Sequence, residues 1–384
     1  MPGIYLDNNA TTSIDPAVRE VMLRYMGGEA GNPSSRHASG RWARQAVEEA
    51  CEKIAAGLDC HPEEITFTSG ATEANNLAIG TWRDDPMPIR VLATEHPSSL
   101  LPAIELSKAG HPVELIHVDG EGLARWDFDL ASGCRGVVQW ANSETGTLQE
   151  IDSIRSLWPG LTDWHVDAVQ AIGKVAGSFR KSGATTWALS GHKIHGPPGI
   201  GALIVRKGTT IRPVFLGGSQ QAGLRPGSEP VPLIVGLGEA IHQATTRFDT
   251  IYRHLCDCRH RLEETLFARI PHIAINGAHG PHLPSKRLAS TSNISFFGAR
   301  AEAVLIGLDL EGVQASAGTA CASGSMEPSP TLLAMGLERD RVSSAIRFSV
   351  SRFTTLEEID QAALKIVDVV AKVRSRLSSP LNES

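Results

Sequence analysis

The stretch "EITFTSGATEANNLAIGTW", residues 64–82, sets the pattern of the whole chain. "EITFTS" (64–69) alternates β-branched and aromatic residues with polar ones and reads as a strand. Gly70 permits a tight turn, and the next dozen residues carry Leu77, Ala78 and Trp82 at helical spacing. The unit then recurs. "IRVLATE" (89–95) reads as a strand and "PSSLLPAIELSKAG" (97–110) as a helix. "PVELIHV" (112–118), "RGVVQWAN" (135–142), "TDWHVDA" (162–168) and "TTWALSG" (185–191) continue the series. Upstream, Ala43, Val47, Cys51, Ile54 and Leu58 mark an amphipathic helix over 36–58. Alternation of this kind implies a mostly parallel sheet with helices on both faces, an α/β fold.

From about residue 233 the pattern changes. One long helical stretch (about 233–270) leads to the short strands "HIAIN" (272–276) and "STSNISFF" (290–297). A helix (301–309), a loop of small residues, the strand "AIRFSVS" (345–351) and a last helix follow. That last helix carries Leu356, Ile359, Ala363, Ile366, Val370 and Val373 on one face. This describes a smaller α+β unit. Pattern alone does not place the first dozen residues.

The composition is that of an ordinary globular chain: 384 residues, 41% hydrophobic and 20% charged, with a net charge of -6. No basic stripe argues for nucleic acid as a direct partner. The opening "MPGIYLDNNATT" (1–12) has neither the basic nor the apolar region of a signal peptide, and no apolar run approaches the roughly 18 residues of a membrane helix. The expectation is a soluble, cytoplasmic protein that does not engage a membrane. The six cysteines are scattered, unlike a disulfide framework. "HLCDCRH" (254–260) invites a metal reading, but steps of two on a helix point to opposite sides, so no metal is expected there.

Four segments carry chemistry at the ends of predicted strands, where open parallel sheets bind ligands. In "TSGATEANN" (68–76), Thr72 and the free N–H groups of a helix start suit a phosphate, although an N-cap explains Ser69 or Thr72 equally well. In "HVDAVQ" (165–170), Asp167 ends an apolar strand, where a carboxylate is costly unless paired. A pyridinium N–H is one suitable partner, the cap of the next turn another, and Gln170 can donate to a nearby oxygen. In "ALSGHKIHGPPGIGALIV" (188–205), Lys193 follows Ser190 and His192. Its amine can form a Schiff base with a carbonyl cofactor, or it is an ordinary surface lysine. In "TEHPSS" (94–99), His96 either caps a strand end or stacks on a planar ring and exchanges protons. Together these groups describe a site for a planar phosphorylated aldehyde, pyridoxal 5′-phosphate.

Eight motifs in fixed order carry a resemblance: "YLDNNATT", "GNPSSRH", "FTSGATEANNLAI", "TEH", "HVDAVQ", "SGHKIHGPPGIGAL", "GTACASGSMEPS" and "IRFSVSRFTTLEEID". They span residues 4 to about 361 and are similar to those of the cysteine desulfurases of the nitrogen-fixation and iron–sulfur housekeeping type, in the class V aminotransferase superfamily. The resemblance implies a fold type I enzyme with a large cofactor domain (15–250). A small α+β domain (1–14 and 251–384) would carry a mobile cysteine loop (about 316–329). It implies a homodimer that converts L-cysteine to L-alanine, with a persulfide on Cys321 passed to a protein acceptor such as an iron–sulfur scaffold.

By the same resemblance, Lys193 bonds the cofactor and takes the substrate's α-proton. Asp167 meets the ring nitrogen, Gln170 the ring oxygen, and His96 the ring face, with an acid–base role. Thr72, Ser190 and His192 match phosphate ligands, and Ser228 matches one that reaches in from the other subunit. Arg347 matches the residue that grips the substrate carboxylate, with Asn32 near it. One departure stands out. Where the family reads two asparagines and a glutamate, this chain has Asn142, Ser143 and Glu144. Ser143 lacks the amide, and Asn142 is a candidate to compensate. Selenocysteine lyase activity, or a weakly catalytic sulfur-delivery or scaffold protein with bound cofactor, are the alternatives.

Overall fold

A computed structural model describes residues 3–27, 31–129, 131–279, 286–318 and 328–378. A seven-stranded sheet forms its centre. After β1 (Ile4–Tyr5), its strands are β2 (Ile65–Thr68), β3 (Ile89–Leu92), β4 (Val113–Ile116), β5 (Cys134–Gln139), β6 (Leu161–Asp167), β7 (Thr186–Ser190) and β8 (Gly201–Val205). Their order across the sheet is β2-β8-β7-β6-β5-β3-β4. β7, β6, β5, β3 and β4 pair in parallel, and only β8 runs against its neighbours. β5, β7 and β8 are buried at every position, as strands covered on both faces must be. The α/β expectation from the strand–helix alternation therefore holds.

Helix Ala38–Leu58 packs Ala43, Ala46, Val47, Ala50, Ile54 and Leu58 into the core over this sheet, and Asp59 ends it in the left-handed region at φ 54. A second core joins Ile4 and Leu6 to Leu255, Leu262, Ile294, Phe348, Ile359 and Ile366. It surrounds a three-stranded antiparallel sheet of β9 (Ile273–Asn276), β10 (Thr291–Phe296) and β12 (Ala345–Ser349). The N-terminal dozen finds its place here. β1 pairs in parallel with β11 (Val313–Gln314), and Asp7 bridges to Ser349.

Two expectations need correction. The single helix over 233–270 is two, Val231–Thr246 and Phe248–Arg269, broken at Arg247 (φ -108, ψ 16). Thr245 and Thr246 return their hydroxyls to the carbonyls of Ile241 and His242, which weakens a helix at its end. Leu356, read as part of an apolar face, is exposed at the start of helix Leu356–Ser378.

Candidate active site

β2, β3, β5, β6 and β7 all end at the same edge of the large sheet, and a cavity of about 620 Å³ opens there. That volume lies within the range of small-molecule sites. Lys193 sits in a single 3-10 turn (Gly191–Lys193) directly after β7. Its Nζ donates to the carbonyls of Asn9 and Ala10, both at 2.7 Å. Burial, then the Arg347 guanidinium, lower its pKa from 10.5 to about 8, against a weaker pull from Asp7 and Asp167. Much of this amine is therefore available as a base just above neutrality. In cofactor-free protein, acylation of Lys193 by an amine-directed reagent is expected to rise with pH to a midpoint near 8. Mass mapping of the modified peptide at a series of pH values checks this.

Asp167 closes β6 and is buried. Its Oδ1 accepts from the Val169 N–H at 3.1 Å, and its Oδ2 accepts from Asn75 Nδ2 at 3.0 Å and Ser99 Oγ at 3.4 Å. Asn75 is a hub that the sequence reading did not single out. Its Oδ1 lies 2.9 Å from His165 Nε2, and His165 Nδ1 lies 2.9 Å from Thr186 Oγ1. Burial takes the His165 pKa down to about 3, so this imidazole is neutral. The other amide hydrogen of Asn75 goes to Ser98 Oγ (2.9 Å), which lies 2.7 Å from His96 Nδ1. His96 also caps helix Pro97–Ser107, its Nδ1 accepting from the Ser98 N–H. Burial lowers the His96 pKa, with Asp167 opposing and Lys193 reinforcing the shift. A neutral His96 with Nδ1 accepting carries its proton on Nε2.

Helix Ala71–Gly80 starts at Gly70 with no side-chain cap, so its first N–H groups face the cavity beside Ser69, Thr72, Ser190 and His192. An uncapped helix start of this kind favours an anion. β8 presses close here. A Cβ at Gly201 would lie 2.8 Å from the Gly70 backbone and 2.5 Å from the Leu189 carbonyl. Burial and Lys193 bring the His192 pKa down to about 4, and its Nδ1 lies 3.0 Å from Thr11 Oγ1. Gln170 donates through Nε2 to Asn9 O at 2.9 Å, while Lys174 donates to its Oε1 at 2.8 Å. Glu95, wholly buried, accepts from the Gln139 N–H, and burial beside Asp167 holds its pKa well above the carboxylate range.

Arg347 comes from β12 with a side chain only 5% exposed. Its Nη2 donates to Asp7 Oδ1 at 2.6 Å and its Nη1 to the Ser143 carbonyl at 3.1 Å. Asn9 Nδ2 donates to that same carbonyl at 3.0 Å. Ser143 thus holds the arginine through its backbone, which any residue supplies. Asn142 does not line the cavity: its Oδ1 accepts from the N–H groups of Glu144 and Thr145, and its Nδ2 donates to Thr94 O. Asn32 is exposed, away from the cavity, in a local turn with the Ser34 N–H. Ser228 is exposed and does not line the cavity of its own chain. Cys321 and most of the 316–329 loop lie outside the described residues, but Ser316 and Gly318, just before it, line the cavity.

The metal reading of 254–260 finds a helix, with Cys258 buried and its Sγ 3.6 Å from the Thr354 carbonyl. Among the described residues no group of His, Cys, Asp and Glu is arranged to hold a metal ion. Asp7 and Asn9 were missed as site residues. Their only sequence signal was the quoted "YLDNNATT" motif, whose place no local pattern gives.

The residues fit pyridoxal 5′-phosphate: an uncapped helix start for an anion, a buried carboxylate at a strand end, and an amine of lowered pKa share one cavity. The buried Oδ1 of Asn9 and Nε of Arg347 also lack partners among the described residues. Comparison with known proteins agrees. The class-V aminotransferase family model matches residues 4–362. A cysteine desulfurase of Trichormus azollae is 40% identical over 98% of this chain and 94% of its own. A solved NifS-like protein superposes with a TM-score of 0.88 at 32% identity, over 96% of this chain and all of that one. A structure described as SspA in complex with cysteine gives 0.78 at 28% identity, over 92% of this chain and 100% of that one.

Proposed function

Because this chain belongs to the class-V aminotransferase family and is a cysteine desulfurase, we propose that its cavity converts L-cysteine to L-alanine and that Cys321 receives the sulfur. One observation carries this reading. Lys193, Asp167 and Gly318 line the same cavity, and Gly318 precedes Cys321 by three residues. Three steps of 3.80 Å keep the Cys321 Cα within about 11 Å of the Gly318 Cα. Four of the other described cysteines are poor candidates. Burial pushes the thiols of Cys51 and Cys60 up to about 12 and that of Cys258 to about 11, and it raises Cys134 as well. A thiol in that range is scarcely ionised at neutral pH and is a weak nucleophile.

Pyridoxal 5′-phosphate, when bound, supplies an electron sink for charge developing next to the amino group. The residues that would hold it are Lys193, Asp167, Gln170, His96, Thr72, Ser190 and His192. Asp167, ringed by N–H and O–H donors, suits a protonated ring nitrogen. Lys174 donates to Gln170 Oε1, which leaves the Gln170 Nε2 to donate to Asn9 O and toward the cavity it lines. Arg347 grips the substrate carboxylate beside Asp7. Lys193 then takes the α-proton as a neutral amine. The Cys321 thiolate bonds to the substrate sulfur as the Cβ–S bond breaks, and that bond's electron pair stays with carbon, which is protonated to give alanine. His96, which lines the cavity, is the candidate acid–base group for that proton.

In this reading the enzyme is a cytoplasmic homodimer that hands its sulfur to a protein acceptor such as an iron–sulfur scaffold. Ser228 sits on the exposed segment that also presents Val214, Phe215 and Leu216, the last 92% exposed, which suits burial against a second copy. Among the described residues, no helix is long and apolar enough to cross a membrane.

Alanine release from L-cysteine by the purified enzyme, compared with release from L-selenocysteine, tests the reading. Negligible alanine from either would make the protein a carrier instead. Arg347→Gln is expected to raise KM for L-cysteine about 10- to 150-fold with a smaller change in kcat, the effect of losing a charged hydrogen bond worth about 1.5–3 kcal/mol. Steady-state kinetics on the variant checks this.

A further inference from the structure

Glu144 is a buried carboxylate that this chemistry does not use. It follows Ser143 and is 1% exposed. Its backbone is fixed on both sides, its N–H donating to Asn142 Oδ1 at 2.9 Å and its carbonyl accepting from Asn293 Nδ2 at 3.3 Å. Ser329 Oγ donates to Glu144 Oε2 at 2.7 Å. Gly318, at φ +90, lies against the other oxygen, so close that a Cβ there would sit 2.6 Å from Oε1. Ser316 in turn exchanges backbone hydrogen bonds with Arg347, at 3.2 and 2.6 Å. Gly318 and Ser329 stand on either side of the residues that include Cys321.

We propose that Glu144 is a positioning residue for sulfur transfer: its carboxylate bonds Ser329 at one end of the Cys321 segment and packs against Gly318 at the other. This rests on the reading of Cys321 as the sulfur nucleophile. A carboxylate held only to fill space would be better replaced by an apolar side chain, since burying it is costly. Here burial pushes its pKa up to about 7, with Ser329, Arg347 and Thr331 pulling the other way. Oε2 is bonded to Ser329, while Oε1, buried against Gly318, has no hydrogen-bond partner among the described residues, an arrangement that a space-filling role does not require.

The test uses holoenzyme with Glu144→Ala, Glu144→Gln and Ser329→Ala. Two rates are read side by side. Exchange of the α-proton of L-alanine with deuterated solvent, followed by NMR, needs Lys193 and the cofactor but no Cys321. Alanine release from L-cysteine needs all three. Glu144→Ala is expected to keep exchange within about twofold of wild type and to lose about tenfold or more in release, the scale of one charge-assisted hydrogen bond. Glu144→Gln, which keeps an acceptor for Ser329, is expected to recover part of that loss, and Ser329→Ala to show the same split more weakly. Equal falls in both rates, or no fall in release, would overturn the inference. If Glu144→Ala does not fold, Ser329→Ala decides between the same outcomes. Cys321→Ala is the control. If it is inactive in release while the Glu144 variants are normal, this inference alone fails. If it releases alanine at the wild-type rate, the parent reading fails and this inference with it.

Discussion

Lys193→Ala is expected to lower alanine formation from L-cysteine by at least about 10²–10⁴-fold, the usual contribution of a positioned general base. The structure makes this residue hard to replace. Its amine is held by two backbone carbonyls, and among the described residues no other lysine lines the main cavity. Lys193→Arg should not rescue the rate, since a guanidinium keeps its proton at any working pH. The same substitution carries a stability signature. The pKa of Lys193 falls from 10.5 unfolded to about 8 folded, so folding disfavours the charged form. That penalty, on the order of 3 kcal/mol, is complete below pH 8. It fades as pH rises toward 10.5 and is gone above it. Cofactor-free Lys193→Ala should therefore melt higher than cofactor-free wild type at pH 7, with the gap closing at high pH. Thermal melts across pH measure this. A variant that loses both activity and stability would point to a structural lysine instead.

Cys321→Ala is expected to abolish sulfur release, by more than about a thousandfold, as removal of a nucleophile does. Solvent exchange of the L-alanine α-proton should persist at close to the wild-type rate, because Lys193 and Asp167 are untouched. The split matters because the two readouts separate proton abstraction from sulfur transfer. A substitute thiol is not available from Cys51, Cys60 or Cys258, all held as protonated thiols by burial. Loss of α-proton exchange in this variant would mean that Cys321 supports the cavity rather than the transfer.

How far the sequence could be read depends on how local each feature is. The strand–helix alternation around residues 64–205 depends on neighbours in the chain, and the central sheet follows it closely. The groups that follow β2, β3, β6 and β7 were legible because a parallel sheet gathers them at one edge. Asp7 and Asn9 were not, since β1 has two residues and pairs with β11 some three hundred positions away. Asn75 and His165 look like helix and strand filler in the sequence. Their role appears only when His165 Nε2 meets Asn75 Oδ1 across 90 positions. At Ser143 the sequence shows only the missing side-chain amide; the structure adds that the residue lines the cavity and that its backbone carbonyl accepts from both Arg347 and Asn9. Asn142, the candidate to compensate, is committed to the turn at Glu144 and Thr145.

The central claim is that sulfur leaves L-cysteine for Cys321 in this cavity. Its most direct test mixes holoenzyme with one equivalent of L-cysteine in the absence of reductant, then quantifies alanine and maps the peptide masses. The account predicts alanine in step with one added sulfur atom on the Cys321 peptide, and none on the peptides of the other five cysteines. Alanine without sulfur on Cys321, or sulfur on another cysteine in the Cys321→Ala variant at the wild-type rate, would contradict it.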